Sequence, residues 1–218
     1  MTRVRLDLMI SLDGYATTTG ATPEEPLGHD WTRLTAHYAA TRTFRERVFH
    51  DTSGAGTTGV DDAFAIAYFE GVGAEIMGAG KFGLHTYPDD PDWRGWWGEE
   101  PPFRGPVIVL THTPRPTLEF ANGTSFRFVE ASAEEALADA RALAVGRDVR
   151  VGGGPTSARE FLVRGLVDDI HLAITPIVLG QGISFWDELR GLEAGRRVET
   201  VVAESGVIHV TFTREGDR

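Results

Sequence analysis

The chain has 218 residues, a formal net charge of −11 (21 Lys and Arg against 32 Asp and Glu) and a hydrophobic content of 41%. That length and composition suit one large globular domain, and the acidic balance excludes a general nucleic-acid or anionic-membrane partner while leaving room for a local basic pocket. The absence of cysteine excludes disulfides, zinc–thiolate sites, iron–sulfur clusters and thiol nucleophiles. No apolar run approaches the ~20 residues of a membrane span and Met1–Arg5 does not read as a leader, so a cytoplasmic protein is expected.

Arg3 to Ile10 alternates, with Val4, Leu6, Leu8 and Ile10 on one face and Arg5 and Asp7 on the other, which predicts a half-buried strand. Ser11-Leu12-Asp13-Gly14-Tyr15-Ala16 leads into a polar loop through Asp30. Trp31 to Phe49 reads as a helix, 51–59 as a Gly/Thr loop, and Val60 to Gly71 as a helix with Ala63, Phe64, Ala67 and Tyr68 inward. A short buried strand, Ala74 to Met77, precedes a long Trp/Pro/Gly loop from Gly78 to Pro106. Within that loop Trp93, Trp96 and Trp97 are expected to pack over the sheet rather than stack on a ligand.

Val107 to Leu110 is a buried strand with a polar exit, Thr111-His112-Thr113-Pro114-Arg115, and Ser125 to Val129 is another strand. Ser132-x-x-Glu135 is a capping-box pattern heading an alanine-rich helix to Val145. The strand Asp148 to Val151 meets Gly152-Gly153-Gly154-Pro155-Thr156-Ser157 and a helix from Ser157 to Arg164, with Ser157-x-x-Glu160 as a second capping box and Gly165 as its stop. Val167 to Pro176 and Arg197 to Glu204 are strands, and Ser205-Gly206 turns the last one into Val207 to Thr213. Strand–helix units followed by antiparallel pairs predict one α/β domain: a mixed sheet with helices on both faces.

The glycine triplet is the most informative stretch. A helix start carries free N–H groups and the positive end of the helix dipole, and glycines let a phosphate approach the backbone. The alternative is a tight strand-to-helix turn that binds nothing. Gly54-x-Gly56-x-x-Gly59 has no strand feeding it. Gly78-x-Gly80-x-x-Gly83 follows a strand but has no acidic ribose partner about 20 residues on, and no Ser/Thr follows Lys81, so neither a Rossmann fingerprint nor a P-loop is present. Nucleophile-elbow and His-Glu-x-x-His motifs are absent, and no metal site is read. His171 and His209 read as sheet residues, Asp61-Asp62 as a helix N-terminal turn, and Asp89-Asp90 as a surface turn. His112 sits where a central strand ends, and Arg115 beyond it could grip a 2′-phosphate.

Taken together these pieces resemble the dihydrofolate reductase superfamily, and within it the reductase domain of bacterial riboflavin biosynthesis. The resemblance is carried by Gly152-Gly153-Gly154, Glu160-Phe161-Leu162, Gly165-Leu166-Val167-Asp168-Asp169-Ile170 and Pro176-Ile177-Val178-Leu179-Gly180-Gln181-Gly182, with Ser11-Leu12-Asp13-Gly14, Met77-Gly78 and Leu110-Thr111 as further matches. It implies a mostly parallel sheet closed by a C-terminal antiparallel hairpin, with NADPH laid across the strand ends. Met77, Gly78, Lys81, Thr111, His112, Arg115, Gly152, Gly153, Gly154, Thr156 and Ser157 would hold the cofactor. Gly14, Tyr15, Trp31, Pro176, Gly180 and Gly182 would line the substrate site, and Asp13 or Asp30 would deliver a proton. Ala79 stands where folate reductases usually carry arginine, and Lys81 is the expected substitute. The resemblance implies reduction of a phosphoribosylaminouracil, with dihydrofolate reduction and a non-catalytic dinucleotide-binding module as alternatives, a pyrimidine- or pterin-like substrate, and a homodimer.

Overall fold

In the computed structural model the described residues are 2–16, 22, 24, 26–28, 30–88 and 90–215. Much of the polar loop that runs through Asp30, and Asp89 of the expected surface turn, therefore lie outside them. In chain order the elements are β1 (Val4–Ser11), α1 (Trp31–Ala39), α2 (Arg42–Val48), α3 (Val60–Phe69), β2 (Val72–Gly78), α4 (Ala79–Phe82), β3 (Pro106–Leu110), β4 (Leu118–Glu119), β5 (Ser125–Val129), α5 (Ala133–Ala144), β6 (Asp148–Val151), α6 (Pro155–Val163), β7 (Asp169–Thr175), β8 (Arg196–Val202) and β9 (Ile208–Arg214). Among the described residues no helix is long and apolar enough to cross a membrane.

The strands form one nine-stranded sheet in the order β4-β5-β3-β2-β6-β1-β7-β9-β8. β5, β3, β2, β6, β1 and β7 run parallel, β4 is antiparallel to β5, and the β8–β9 hairpin closes the other edge with β9 antiparallel to β7. This is the expected mixed, mostly parallel sheet with a C-terminal antiparallel hairpin.

Period-2 alternation splits the sheet into two chemically distinct faces. Val4, Leu6, Ile10, Ile76, Ile108, Val149, Val151, Ile170 and Leu172 form one core with Ala136, Leu137 and Ala140 of α5 and Ala158, Phe161 and Leu162 of α6. A second cluster joins Met77, Phe82, Val107, Val109, Phe126 and Phe128, with Trp93 and Trp97 packed on it. The indole N–H groups of Trp93 and Trp96 donate to the carbonyls of Phe82 and Lys81, each at 2.9 Å, so the tryptophan loop covers the sheet.

Several local expectations change. The single helix read from Trp31 to Phe49 is two, because Thr41 takes an extended conformation, caps α2 by accepting from Phe44 N–H, and bridges to Thr57. In α3 the buried residues are Asp61, Asp62 and Ala65, while Ala63 and Ala67 face solvent. The amphipathic reading placed apolar residues inward, whereas both aspartates have protein partners there: Asp61 bonds His209 and Asp62 accepts from Thr43 N–H. The capping box at Ser132 and Glu135 forms on α5. The one expected at Ser157 does not, because Pro155 already starts α6 and Gly154 is its N-cap. β1 is covered on both faces, so its charged side is not the solvent side.

Candidate active site

The parallel strands all point one way, so Ser11, Gly78, Leu110, Val129, Val151 and Thr175 end at one edge of the sheet, where open α/β sheets take their ligands. Two groups of residues meet there, after β2 and β6 and after β1 and β7. They are adjacent because β6 pairs with β1, and Leu8 Cδ2 lies 3.2 Å from where a Gly153 Cβ would stand.

In the glycine corner each glycine has its own reason. A Cβ on Gly152 would overlap the Glu75 carboxylate and come within 2.9 Å of Lys81 Nζ; Gly153 sits at φ 104°, a left-handed conformation that disfavours other residues. A Cβ on Gly154 would meet nothing within 4 Å, so its backbone borders open space. Gly154 caps α6 with no side-chain bond, and Ala158 N–H to Gly154 O (3.0 Å) is the first intrahelical bond. The N–H groups of Thr156 and Ser157, ahead of that bond, have no intrahelical acceptor. Gly78 completes the corner: its N–H donates to Gly153 O at 3.3 Å, and a Cβ there would overlap Ser157 Oγ. Met77 is fully buried in the second core and reaches the edge only through its backbone.

Lys81 is not free to grip a phosphate. Its ammonium donates to Gly152 O, to Glu75 Oε1 at 3.0 Å and to Tyr68 Oη at 3.5 Å. The Glu75 charge raises its pKa against the opposing effect of burial. Glu75 Oε2 accepts from both Nε and Nη2 of Arg150, which is buried, donates to Tyr68 O and lies 3.5 Å over the Tyr68 ring. Lys81 thus anchors the corner from behind.

Past β3, Thr111 N–H donates to Val129 O, and His112 is almost wholly exposed, 3.3 Å from Glu130. Arg115 lies over Phe128 and donates from Nη2 to Asp90 O at 2.8 Å, while its Nη1 is buried without a partner.

On the other side, the turn after β1 is stitched to the segment after β7. Leu12 N–H donates to Ile177 O, Phe185 N–H to Gly14 O, and Tyr15 bridges to Ser184. Gly14 sits at φ 87°, with Trp186 2.6 Å from where its Cβ would be. The Asp13 carboxylate accepts from the amides of Leu179 (3.1 Å) and Gly180 (2.7 Å), latching the loop Pro176–Gly182. Hydrogen bonds from Ser11 and those two amides hold its pKa at about 2. As placed, it is an anion that fixes a loop and is poorly suited to give up a proton. Asp30 precedes Trp31 at the start of α1 and pairs with Arg33 at 2.5 Å. Thr175 Oγ1 donates to Leu34 O at 2.9 Å, which sets α1 over the end of β7.

The profile of the RibD C-terminal domain matches residues 2–204. The chain belongs to that family. A putative riboflavin biosynthesis protein from Shewanella sp. PV-4 shares the fold at 19% identity and a TM-score of 0.59, with 99% of this chain and all of that one covered. Dihydrofolate reductase from Enterococcus faecalis, solved with NADP(H) and RAB-propyl, shares it at 13% identity and a TM-score of 0.51, covering 98% and 97% of the two chains. The uncharacterized protein YyaP of Bacillus subtilis is 31% identical over 71 residues, which span 33% of this chain and 38% of that protein.

In this RibD C-terminal domain, sequence reasoning passed over the polar layer beside the corner. Asp7 (β1), His171 (β7), His209 (β9) and Asp61 (α3) form a hydrogen-bonded chain under α1 and α3. Phe64 stacks on both imidazoles. His37 of α1 is buried with neither ring nitrogen partnered, and Tyr38 Oη and Asp7 Oδ2 are likewise buried without partners. Burial drives the His37 pKa down to about 4. The available signal was a charged residue at alternate positions in otherwise apolar strands: Asp7 between Leu6 and Leu8, and Arg150 between Val149 and Val151.

Proposed function

We propose that the chain is a reductase that binds a nicotinamide dinucleotide across the strand ends and reduces a pyrimidine- or pterin-like small molecule, in the manner of the riboflavin-pathway reductase that acts on a phosphoribosylaminouracil. The observation that carries this reading is the corner at Gly152–Gly154. It joins open space at the Gly154 backbone to an uncapped helix start, the arrangement a diphosphate needs. When bound, the reduced nicotinamide supplies the hydride. Thr156 and Ser157 N–H groups hold the diphosphate, Gly78 lets it lie close to β2, and Thr111 and Arg115 face the adenosine end. Arg115 is the candidate 2′-phosphate ligand that favours NADPH over NADH.

The substrate lies between Gly14–Tyr15, Trp31 and the loop Pro176–Gly182, whose position Asp13 fixes. The second reading is dihydrofolate reduction, for which Asp30, ahead of α1, is the candidate acid. The proposal includes a homodimer, which sedimentation would test.

Titrating the protein into NADPH and following its fluorescence, then its depletion with the phosphoribosylaminouracil and with dihydrofolate, decides among the readings. Binding with depletion by one substrate supports the reductase and names it. Methotrexate inhibition would mark the folate branch. Binding without depletion leaves a dinucleotide-binding module, and absence of binding overturns the proposal.

A further inference from the structure

The buried chain beneath α1 and α3 has a proton count that its geometry alone determines. Asp7 Oδ1 lies 3.1 Å from His171 Nδ1, His171 Nε2 lies 2.9 Å from His209 Nδ1, and His209 Nε2 lies 2.8 Å from Asp61 Oδ1. Each contact is a hydrogen bond only if a proton sits in it. Ionised carboxylates bring none, and a neutral imidazole brings one. If each neutral ring donated to its own carboxylate, His171 Nε2 and His209 Nδ1 would meet lone pair to lone pair. Three bonds therefore hold three protons, one more than two neutral rings supply.

We propose that Asp7, His171, His209 and Asp61 form a buried proton-holding site, with His171 as an imidazolium that donates from both nitrogens and His209 as the neutral Nε2–H tautomer. Each ring faces a carboxylate, and the extra charge belongs on His171 because its side chain is 11% exposed whereas His209 is fully buried, which disfavours a second proton there. The other cations near Asp7 are engaged elsewhere: Arg150 by Glu75 and Tyr68 O, and Arg5 by the carbonyls of Glu70 and Ala67. Phe64 lies parallel to the His171 ring, 4.4 Å away at 8°, and to the His209 ring, 4.1 Å away at 4°; its face suits a flat cation.

The remaining groups packed against the chain are consistent with one added charge. His37 of α1 is kept neutral by burial, and Tyr38 of α1 has its pKa raised well above the usual value by burial, so it stays protonated. Burial lowers the proton affinity of His209, and the bond from His171 holds Asp7 as the carboxylate. Asp62 of α3 is occupied by Thr43 N–H. The Asp7 and His171 side chains are each 11% exposed, Asp61 is 7% exposed and His209 is fully buried, so the Asp7–His171 end is the more open to water. The site stands whether or not the chain is a reductase.

The test is the ring protonation of the intact protein labelled with 15N-histidine. Long-range 1H–15N correlations would be recorded at pH 7.5, with the two rings assigned by His171→Gln and His209→Gln. Two protonated nitrogens on His171 and one, Nε2, on His209 support the site. A single protonated nitrogen on His171 overturns it. In Asp7→Asn the counter-ion is gone and His171 is expected to show one protonated nitrogen. A folded Asp7→Asn protein that keeps both overturns the assignment of the charge, and the wild-type spectrum decides the matter if that variant fails to fold.

Discussion

Thr156→Asp separates folding from cofactor binding, because the two respond with opposite signs. Thr156 is exposed at the second position of α6, in a first turn that has no acidic residue and no side-chain cap. A carboxylate there complements the helix dipole and is expected to stabilise the unliganded protein by about 0.3–1 kcal/mol. The same carboxylate stands beside the proposed diphosphate. Two like charges ~4 Å apart repel by about 4 kcal/mol at an effective dielectric of 20. Exposure and salt reduce this to roughly 1–2 kcal/mol, or a five- to thirtyfold weaker Kd for NADPH. Fluorescence titration gives the affinity and a thermal melt without ligand gives the stability. The expected result is a weaker Kd that partly recovers at high salt, with an unchanged or higher Tm. A folded variant with wild-type affinity would show that no phosphate lies at the start of α6, and the cofactor geometry would have to be abandoned.

Gly152→Ala drives a methyl group into the Glu75 carboxylate, which is buried between Lys81 and Arg150; disrupting such a pair is expected to cost about 3–5 kcal/mol, read as a lower urea midpoint. Asp13 titrates at about 2 in the folded protein against an ordinary 3.8, so its latch on Leu179 and Gly180 is complete above pH ~4 and lost as pH falls through about 2. The amide shifts of those two residues should follow that curve, and Asp13→Asn should abolish it. His37 has the same sign in a higher pH window. Its folded pKa of about 4 lies below the ordinary 6.5, so the unfolded chain takes up the proton first and stability falls as pH drops from 6.5 to 4. The gap of 2.5 units corresponds to a cost of about 3 kcal/mol. His37→Phe should remove that part of the acid loss in urea melts at pH 7 and pH 4.5, and equal losses in both proteins would refute it.

Strand positions were legible because alternation is a local property. Val4 to Ile10, Val107 to Leu110 and the Ser205-Gly206 turn each carry their signal within a few residues, and so does the capping box at Ser132. The glycine corner was legible for the same reason, since Gly152–Gly154 runs directly into α6. Reading was less successful where a distant partner decides a residue's environment. Asp61 and Asp62 look like solvent-facing N-terminal acids until His209 and Thr43 are brought against them. Lys81 looks like a phosphate ligand until Glu75, six residues earlier on β2, points the same way.

The kind of sheet, its closing hairpin and the bare backbone after β6 can be read along the chain, because they depend on side-chain periodicity and on glycine's missing Cβ. The strand order, and with it which charges meet, comes from the folded arrangement. Register sets Asp7 beside His171 and Glu75 beside Arg150 across neighbouring strands, although 164 and 75 residues separate the partners along the chain. No local pattern encodes such pairings, since a charged residue at a given strand position has the same preferences whichever strand comes to lie next to it.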